Sequence, residues 1–240
     1  MTQTVLITGV SAGLGAALAG HFLAAGAEVL GCSRRQPEQF RAAEGFRFEP
    51  IDLSDLDGIT GGLSRLCAGV DRCDLVILNA GILSPFGDMR EARLEECQHV
   101  LNVNLWANKV LLDWLLSQIP VVTQVVAISS GAGIHGNRGW NAYALSKAAL
   151  NMLIRLYAAE TPATHFTAVA PGPVETAMQE YLCQLPGEER FPTLASLKQR
   201  RHTDQMPRPE VLAPRLASLF TEARQRVPSG EFIDIRRLPW

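Results

Sequence analysis

Three side chains near the middle of the chain have the types and spacing of a proton-transfer site: Ser130, Tyr143 and Lys147, with Ser129 beside the first. Tyr143 and Lys147 stand four residues apart, so on a helix they share a face one turn apart. That spacing brings an ammonium near a phenol. A free phenol ionises near pH 10 and is a poor proton-transfer group at neutrality, but a neighbouring cation favours the phenolate and lowers that value. Tyr143 can then serve as a general acid or base. Tyrosine and lysine are scarce here, three of each in 240 residues, so their pairing is not expected from composition alone.

The flanking segments are the kind that hold such groups still. Gln124 to Ile128 is an apolar run of strand length, and Ala142 to Ala159 has the length and apolar spacing of a buried helix. The serine therefore ends a strand and the tyrosine begins a helix. Upstream, Thr4 to Thr8 reads as a buried strand and Ala12 to Ala25 as a helix, with Gly9, Gly13 and Gly15 in the turn between them. Glycines there let the backbone approach a pyrophosphate, and the helix N-terminus offers unpaired N–H groups. Ala27 to Gly31 reads as the second strand. Where NAD sites carry an acid for the ribose 2′-hydroxyl, this chain has Cys32-Ser33-Arg34-Arg35. Two guanidinium groups suit a 2′-phosphate, so NADP(H) is the expected cofactor.

Phe46 to Ile51 and Asp74 to Leu78 read as strands followed by Asp52-Leu53 and Asn79-Ala80-Gly81. Ligands bind at the carboxyl edge of an open parallel sheet, so these turns suit the adenine and the ribose or nicotinamide. Leu94 to Leu116 reads as one long helix with Asn102 and Asn104 among apolar neighbours, and a buried asparagine needs partners. Thr164 to Ala170 reads as a strand stopped by Pro171-Gly172-Pro173-Val174-Glu175-Thr176. Ala177 to Pro209 is broken by prolines and is a candidate substrate lid. Glu210 to Thr221 and Gly230 to Ile235 read as a last helix and strand. Strands alternating with helices from end to end predict α/β architecture, one doubly wound parallel sheet in a single domain over 1–240.

Composition sets the bounds. With 22 basic and 24 acidic side chains the net charge is −2, which gives no electrostatic reason to expect nucleic acid or an anionic membrane. Five cysteines, odd in number and well separated, suggest reduced thiols rather than a disulfide framework, and the histidines lack metal-ligand spacing. No apolar run approaches membrane-spanning length, and strand-like residues from Thr4 leave no room for a signal peptide. A cytoplasmic protein is the expectation.

Thr8-Gly9-Val-Ser11-Ala-Gly13-Leu14-Gly15, Asn79-Ala80-Gly81, Asn104, Ser130, Tyr143-x-x-x-Lys147 and Pro171-Gly172-x-x-x-Thr176, in this order, resemble the short-chain dehydrogenase/reductase family over nearly the whole chain. The resemblance implies a Rossmann-type sheet of about seven strands and hydride transfer between NAD(P)H and a small-molecule carbonyl or alcohol. It also implies roles. Tyr143 donates the proton, Ser130 polarises the carbonyl, Lys147 holds the nicotinamide ribose and lowers the tyrosine pKa, Asn104 supports a water-linked proton relay, and Thr176 contacts the carboxamide side. A homodimer or homotetramer through the Leu94–Leu116 and Ala142–Ala159 helices is implied as well.

Within the family the end of the chain departs from acyl-carrier-protein reductases. Where those have a Val-Asp-Gly-Gly type of strand, this chain reads Phe232-Ile-Asp-Ile-Arg-Arg. Ser33-Arg34 and the segment from Asn79 to Asp88 look more like the sepiapterin reductase and benzil reductase branch, which implies NADPH-dependent reduction of carbonyls, often vicinal dicarbonyls. The alternatives are a 3-oxoacyl thioester reductase and a non-catalytic NADP(H) sensor on the same fold. A hydrolase using Ser130 with His135 or His165 lacks a Gly-x-Ser-x-Gly elbow. His135, Asn137, Arg138 and Trp140, between Ser130 and Tyr143, are further residues within reach of a substrate.

Overall fold

The computed structural model describes residues 2–238. Seven parallel strands form the sheet: β1 (Thr4–Thr8), β2 (Glu28–Ser33), β3 (Phe46–Pro50), β4 (Leu75–Leu78), β5 (Gln124–Ile128), β6 (His165–Ala170) and β7 (Glu231–Asp234). Their spatial order is β3-β2-β1-β4-β5-β6-β7. The order reverses direction between β1 and β4, which opens a crevice at their carboxyl ends. Arg72–Cys73 and Val121–Val122 make a separate short parallel pair just before β4 and β5.

The strands are apolar on both faces because both faces are covered, and alternate residues go to opposite layers. In β1, Leu6 joins one core while Val5 and Ile7 join the other; in β5, Val125 and Ala127 divide from Val126 and Ile128 in the same way. One layer is α1 (Gly13–Ala24) against α8 (Pro209–Arg226), with Leu18 and Phe22 facing Leu216 and Phe220. The other contains α2 (Ile59–Leu66), α4 (Ala107–Gln118) and α5 (Asn141–Glu160), meeting through Leu63, Leu111, Leu115, Leu150 and Ile154. Each of these fully buried aliphatic side chains contributes roughly 1.5–3 kcal/mol of transfer free energy.

Several elements differ from the sequence expectation. Helix α2 follows β3 where no helix is expected, because Gly61 and Gly62 lower its propensity. Gly62 is there for packing: a Cβ would lie 2.6 Å from Ile51 Cγ1. The single helix expected over Leu94–Leu116 is α3 (Leu94–Leu101) and α4 joined by a π-helical turn at Asn102–Trp106. Such widened turns cluster at functional sites. The segment 177–209 is more ordered than its prolines suggest: it holds α6 (Ala177–Gln184) and α7 (Pro192–Arg200), the latter with proline at its permitted first position. The last helix also runs further than expected, to Arg226.

Candidate active site

The turn after β1 takes the shape its glycines allow. Gly9 has φ +77°, and a Cβ on Gly15 would lie 2.2 Å from Gly9 O, so α1 can begin against the turn only without a side chain there. Thr8 ties this turn to the one after β4: its Oγ1 accepts from the N–H groups of Asn79 and Ala80, both at 3.0 Å, while Asn79 Nδ2 donates to Thr8 O at 3.0 Å. Helix α1 has no side-chain cap and no acid in its first turn. Its free N–H groups therefore face the crevice with a positive dipole end, the arrangement that accepts a phosphate.

A cavity of about 720 Å³ runs along the crevice. Gly9, Ser11, Gly13, Leu14, Ser33, Arg34, Asp52, Leu53, Asn79, Ala80 and Gly81 line its first part; Ser130, Tyr143, Lys147, Pro171, Gly172, Val174 and Thr176 also line it. Three expected residues do not reach it. Gly15 lies under the turn as packing. Arg35 is exposed, and its carbonyl accepts from Ser33 Oγ at 2.7 Å, leaving Arg34 as the lining guanidinium. Asn104 is fully buried behind the wall: its Oδ1 accepts from Ile82 N at 2.8 Å and its Nδ2 donates to Ile82 O and Ser146 Oγ. A Cβ on Gly81 would lie 3.3 Å from Asn104 Oδ1 and 3.4 Å from Lys147 Nζ, so both polar atoms crowd the same glycine.

The two serines separate cleanly. Ser129 Oγ donates to Asn151 Oδ1 at 2.5 Å, away from the cluster, whereas Ser130 Oγ accepts from Ala132 N at 3.1 Å and lines the cavity with Tyr143. Helix α5 is anchored just before the tyrosine: Asn141, at φ +22°, accepts from Ala142 N at 2.7 Å and donates to Pro85 O at 2.8 Å. Asparagine tolerates that conformation better than most residues.

The electrostatics differ from the expectation that lysine lowers the tyrosine. Burial pushes Tyr143 up to about 12, and the Ser130 hydrogen bond opposes that without reversing it. Burial also brings Lys147 down to about 8. Its Nζ donates to Ile128 O at 2.8 Å and lies 5.7 Å from the centre of the Tyr143 ring. Desolvation dominates both groups. Tyr143 thus holds its proton at neutral pH.

A buried lysine with a depressed pKa costs stability. Below about pH 8 both folded and unfolded chains hold the proton, and the folded one bears the full cost of a buried ammonium; between about 8 and 10.5 the unfolded chain binds more protons, so the cost fades as pH rises. Lys147→Met is therefore expected to raise the melting temperature of the ligand-free protein at pH 7. After the lost bond to Ile128 the gain is on the order of 2 kcal/mol, or roughly 4–8 °C. It should shrink between pH 8 and 10. Calorimetric melts across that range check it, and an unchanged or lower melting temperature at pH 7 contradicts it.

Segment 177–209 packs over this end of the cavity through its own apolar cluster. Leu182, Phe191, Leu194 and Leu197 meet Trp140 and Tyr143, and Phe86 stacks edge-on against both Trp140 and Phe191. Asp88 accepts from Arg138 and from Arg190 at 2.6–2.7 Å, tying the loops after β4 and β5 to the segment. Of the loop residues expected near substrate, His135, Asn137 and Trp140 line the cavity and Arg138 serves this tie. His165 lies at the amino end of β6 against Val227 O, remote from Ser130's end of the sheet. Gln179, Thr193, Arg200, Arg236 and Arg237 line the cavity unanticipated, since only the folded chain brings them there.

Among the described residues no cluster of three or more metal-ligating side chains occurs, and no helix is long and apolar enough to cross a membrane. All five cysteines are buried free thiols.

A doubly wound parallel sheet with a glycine turn at its switch point and serine, tyrosine and lysine gathered in the adjoining crevice defines a nicotinamide-nucleotide oxidoreductase of Rossmann type. More narrowly, the sequence model of the short chain dehydrogenases matches residues 3–185, and the chain belongs to that family. It is 28% identical to a benzil reductase ((S)-benzoin forming) of Bacillus cereus, over 96% of this chain and 98% of the relative. It is 31% identical to the sepiapterin reductase of Bos taurus, over 73% and 74% of the two chains. The crystal structure of the KRED1-Pglu enzyme superimposes with a TM-score of 0.85 at 27% identity, covering 97% of this chain and all of that one.

Proposed function

We propose that the protein is an NADPH-dependent carbonyl reductase acting on ketones or vicinal dicarbonyls, with Tyr143 as proton donor. The observation that carries this reading is the juxtaposition of Ser130 and the protonated, buried Tyr143 in one cavity with Arg34 at the end of β2. The likeness to benzil and sepiapterin reductases over most of the chain supports the dicarbonyl class.

The residues fit a dinucleotide: the uncapped start of α1 accepts a pyrophosphate, Arg34 a 2′-phosphate, and Asp52, held ionised by hydrogen bonds from Ser54 and then by the Arg34 charge, the adenine side. When bound, the nicotinamide supplies the hydride. The chain does the rest. Ser130 donates a hydrogen bond to the substrate carbonyl and fixes it beside Tyr143, whose O–H protonates the developing alkoxide. Lys147, on the same helical face, holds the ribose hydroxyls, and Asn104 supports a water-linked proton relay to the lysine from behind the wall. The segment 177–209 serves as a lid that excludes water, and the exposed apolar side chains Leu145, Met152 and Leu156 along α5 suit burial against a second copy.

The test is NADPH oxidation against vicinal diketones, pterin carbonyls, simple aldehydes and acyl thioesters. Diketones are expected to turn over fastest. Preferential turnover of acyl thioesters replaces the dicarbonyl assignment, and NADPH binding without turnover of any substrate favours a sensor.

A further inference from the structure

The end of β7, where the sequence replaces a glycine pair by Ile235-Arg236-Arg237, delivers charge to the substrate end of the cavity. Asp234, its side chain buried, caps the short turn Ile235–Arg237 by accepting from Arg236 N at 3.1 Å. The same carboxylate takes Arg236 Nε at 2.8 Å and Nη2 at 2.6 Å, which fixes the guanidinium and leaves its Nη1 edge uncommitted. Two glycines make room for it. A Cβ on Gly131, the residue after Ser130, would lie 3.3 Å from Arg236 Nη2, and one on Gly172 would lie 3.2 Å from Arg236 Cδ.

Arg236 is not alone. Arg237 lines the cavity, approaches His135 Nε2 at 3.3 Å and reaches Asp234 Oδ2 with its Nε at 3.9 Å, leaving its Nη groups for the cavity side; Arg200, at the end of α7, lines it with no carboxylate partner among the described residues. The nearby carboxylates Glu175 and Glu180 are paired with His202 and Arg201. Among the described residues the only acid lining the cavity is Asp52, beside Arg34. A neutral diketone offers no charge to the free edges of the guanidinium groups that line the cavity.

We propose that Arg236, Arg237 and Arg200 form an anion-recognising subsite, so that the carbonyl substrate carries a carboxylate within a few atoms of the carbon reduced. This rests on the reductase assignment above and narrows it: a 2-oxo acid is itself a vicinal dicarbonyl with one arm ionised. Asp234 pre-orients Arg236, and planar guanidinium groups match a carboxylate with paired hydrogen bonds.

Two matched pairs test it: phenylglyoxylate against 1-phenyl-1,2-propanedione, and 4-carboxybenzil against benzil. For each, kcat/KM with NADPH is measured in wild type, Arg237→Ala, Arg200→Ala and the double variant, and read as the anionic-to-neutral ratio, so that intrinsic reactivity cancels between proteins. The ratio is expected to fall about tenfold in each single variant and further in the double. In parallel, oxamate and neutral oxamide are titrated calorimetrically into the protein with saturating NADP+. Wild type should bind oxamate at least about tenfold tighter than oxamide, and Arg237→Ala should lose that margin. Unchanged ratios and equal binding of the two amides overturn the subsite. So does a fall in NADP+ affinity with the ratios intact, which assigns the arginines to the cofactor. If no pair turns over, the reductase assignment fails while the oxamate measurement still decides the subsite.

Discussion

Replacing Tyr143 by phenylalanine is expected to lower kcat for a vicinal diketone by about a thousandfold, within the range a positioned general acid contributes. The substitution removes one buried oxygen and leaves the ring in place between Trp140 and the Lys147 side, so packing is preserved. Losing the hydroxyl costs little fold stability because the desolvation of a buried phenol is relieved at the same time. NADPH affinity should stay within a few-fold. Because burial keeps Tyr143 protonated at neutral pH, the donor is loaded before reduction begins, and among the described residues the only acid lining the cavity is Asp52, beside Arg34. Stopped-flow measurement of a single turnover isolates the chemical step. If Tyr143→Phe retains near-normal turnover, the proton comes from elsewhere and the assignment is wrong.

Arg34→Asp should produce the second large effect, a change of about a hundredfold or more in the ratio of kcat/KM for NADPH to that for NADH. The side chain is exposed at the carboxyl end of β2, where a 2′-phosphate would be met by a charge-assisted pair worth about 1.5–3 kcal/mol. Aspartate both removes that pair and sets a like charge against the phosphate, while its carboxylate can accept from a free ribose 2′-hydroxyl. The fold should not respond, since Arg34 lies at the surface and carries no ion pair to a structural element. Arg35→Asp is expected to act more weakly, because Arg35 lies outside the cavity wall. A wild-type enzyme that prefers NADH, or an Arg34→Asp variant with unaltered preference, would show that the arginine is only a solvated loop charge.

The elements legible in the sequence share a physical property: their signal is local. The continuous apolar runs of β1, β4, β5 and β6 announce strands buried on both faces, and the glycine turn between β1 and α1 announces a close approach because only glycine permits Gly9's conformation and Gly15's contact with it. Ser130, Tyr143 and Lys147 are legible because helix periodicity and strand-end position suffice to bring them together. Helix α2 was hidden by Gly61 and Gly62, the second of which is there for its contact with Ile51, a partner outside the helix. The π turn at Asn102–Trp106 was hidden because the Asn104 side chain it carries is hydrogen-bonded to Ile82 and Ser146, partners that no local pattern reveals.

What the sequence by itself determined, then, is the sheet class and the grouping of Ser130, Tyr143 and Lys147, through spacing along single elements. The tertiary structure decided the electrostatics and the reach of individual side chains. Whether Lys147 or burial governs the Tyr143 proton depends on how much water the packed wall excludes, and the balance falls to burial. Which of two adjacent arginines faces the cavity depends on the turn after β2. That Arg200, Arg236 and Arg237 line one cavity depends on β7 lying beside β6 and on the segment 177–209 folding back over the crevice. Charge acts through space rather than along the chain, so only the folded arrangement could bring these residues to one site.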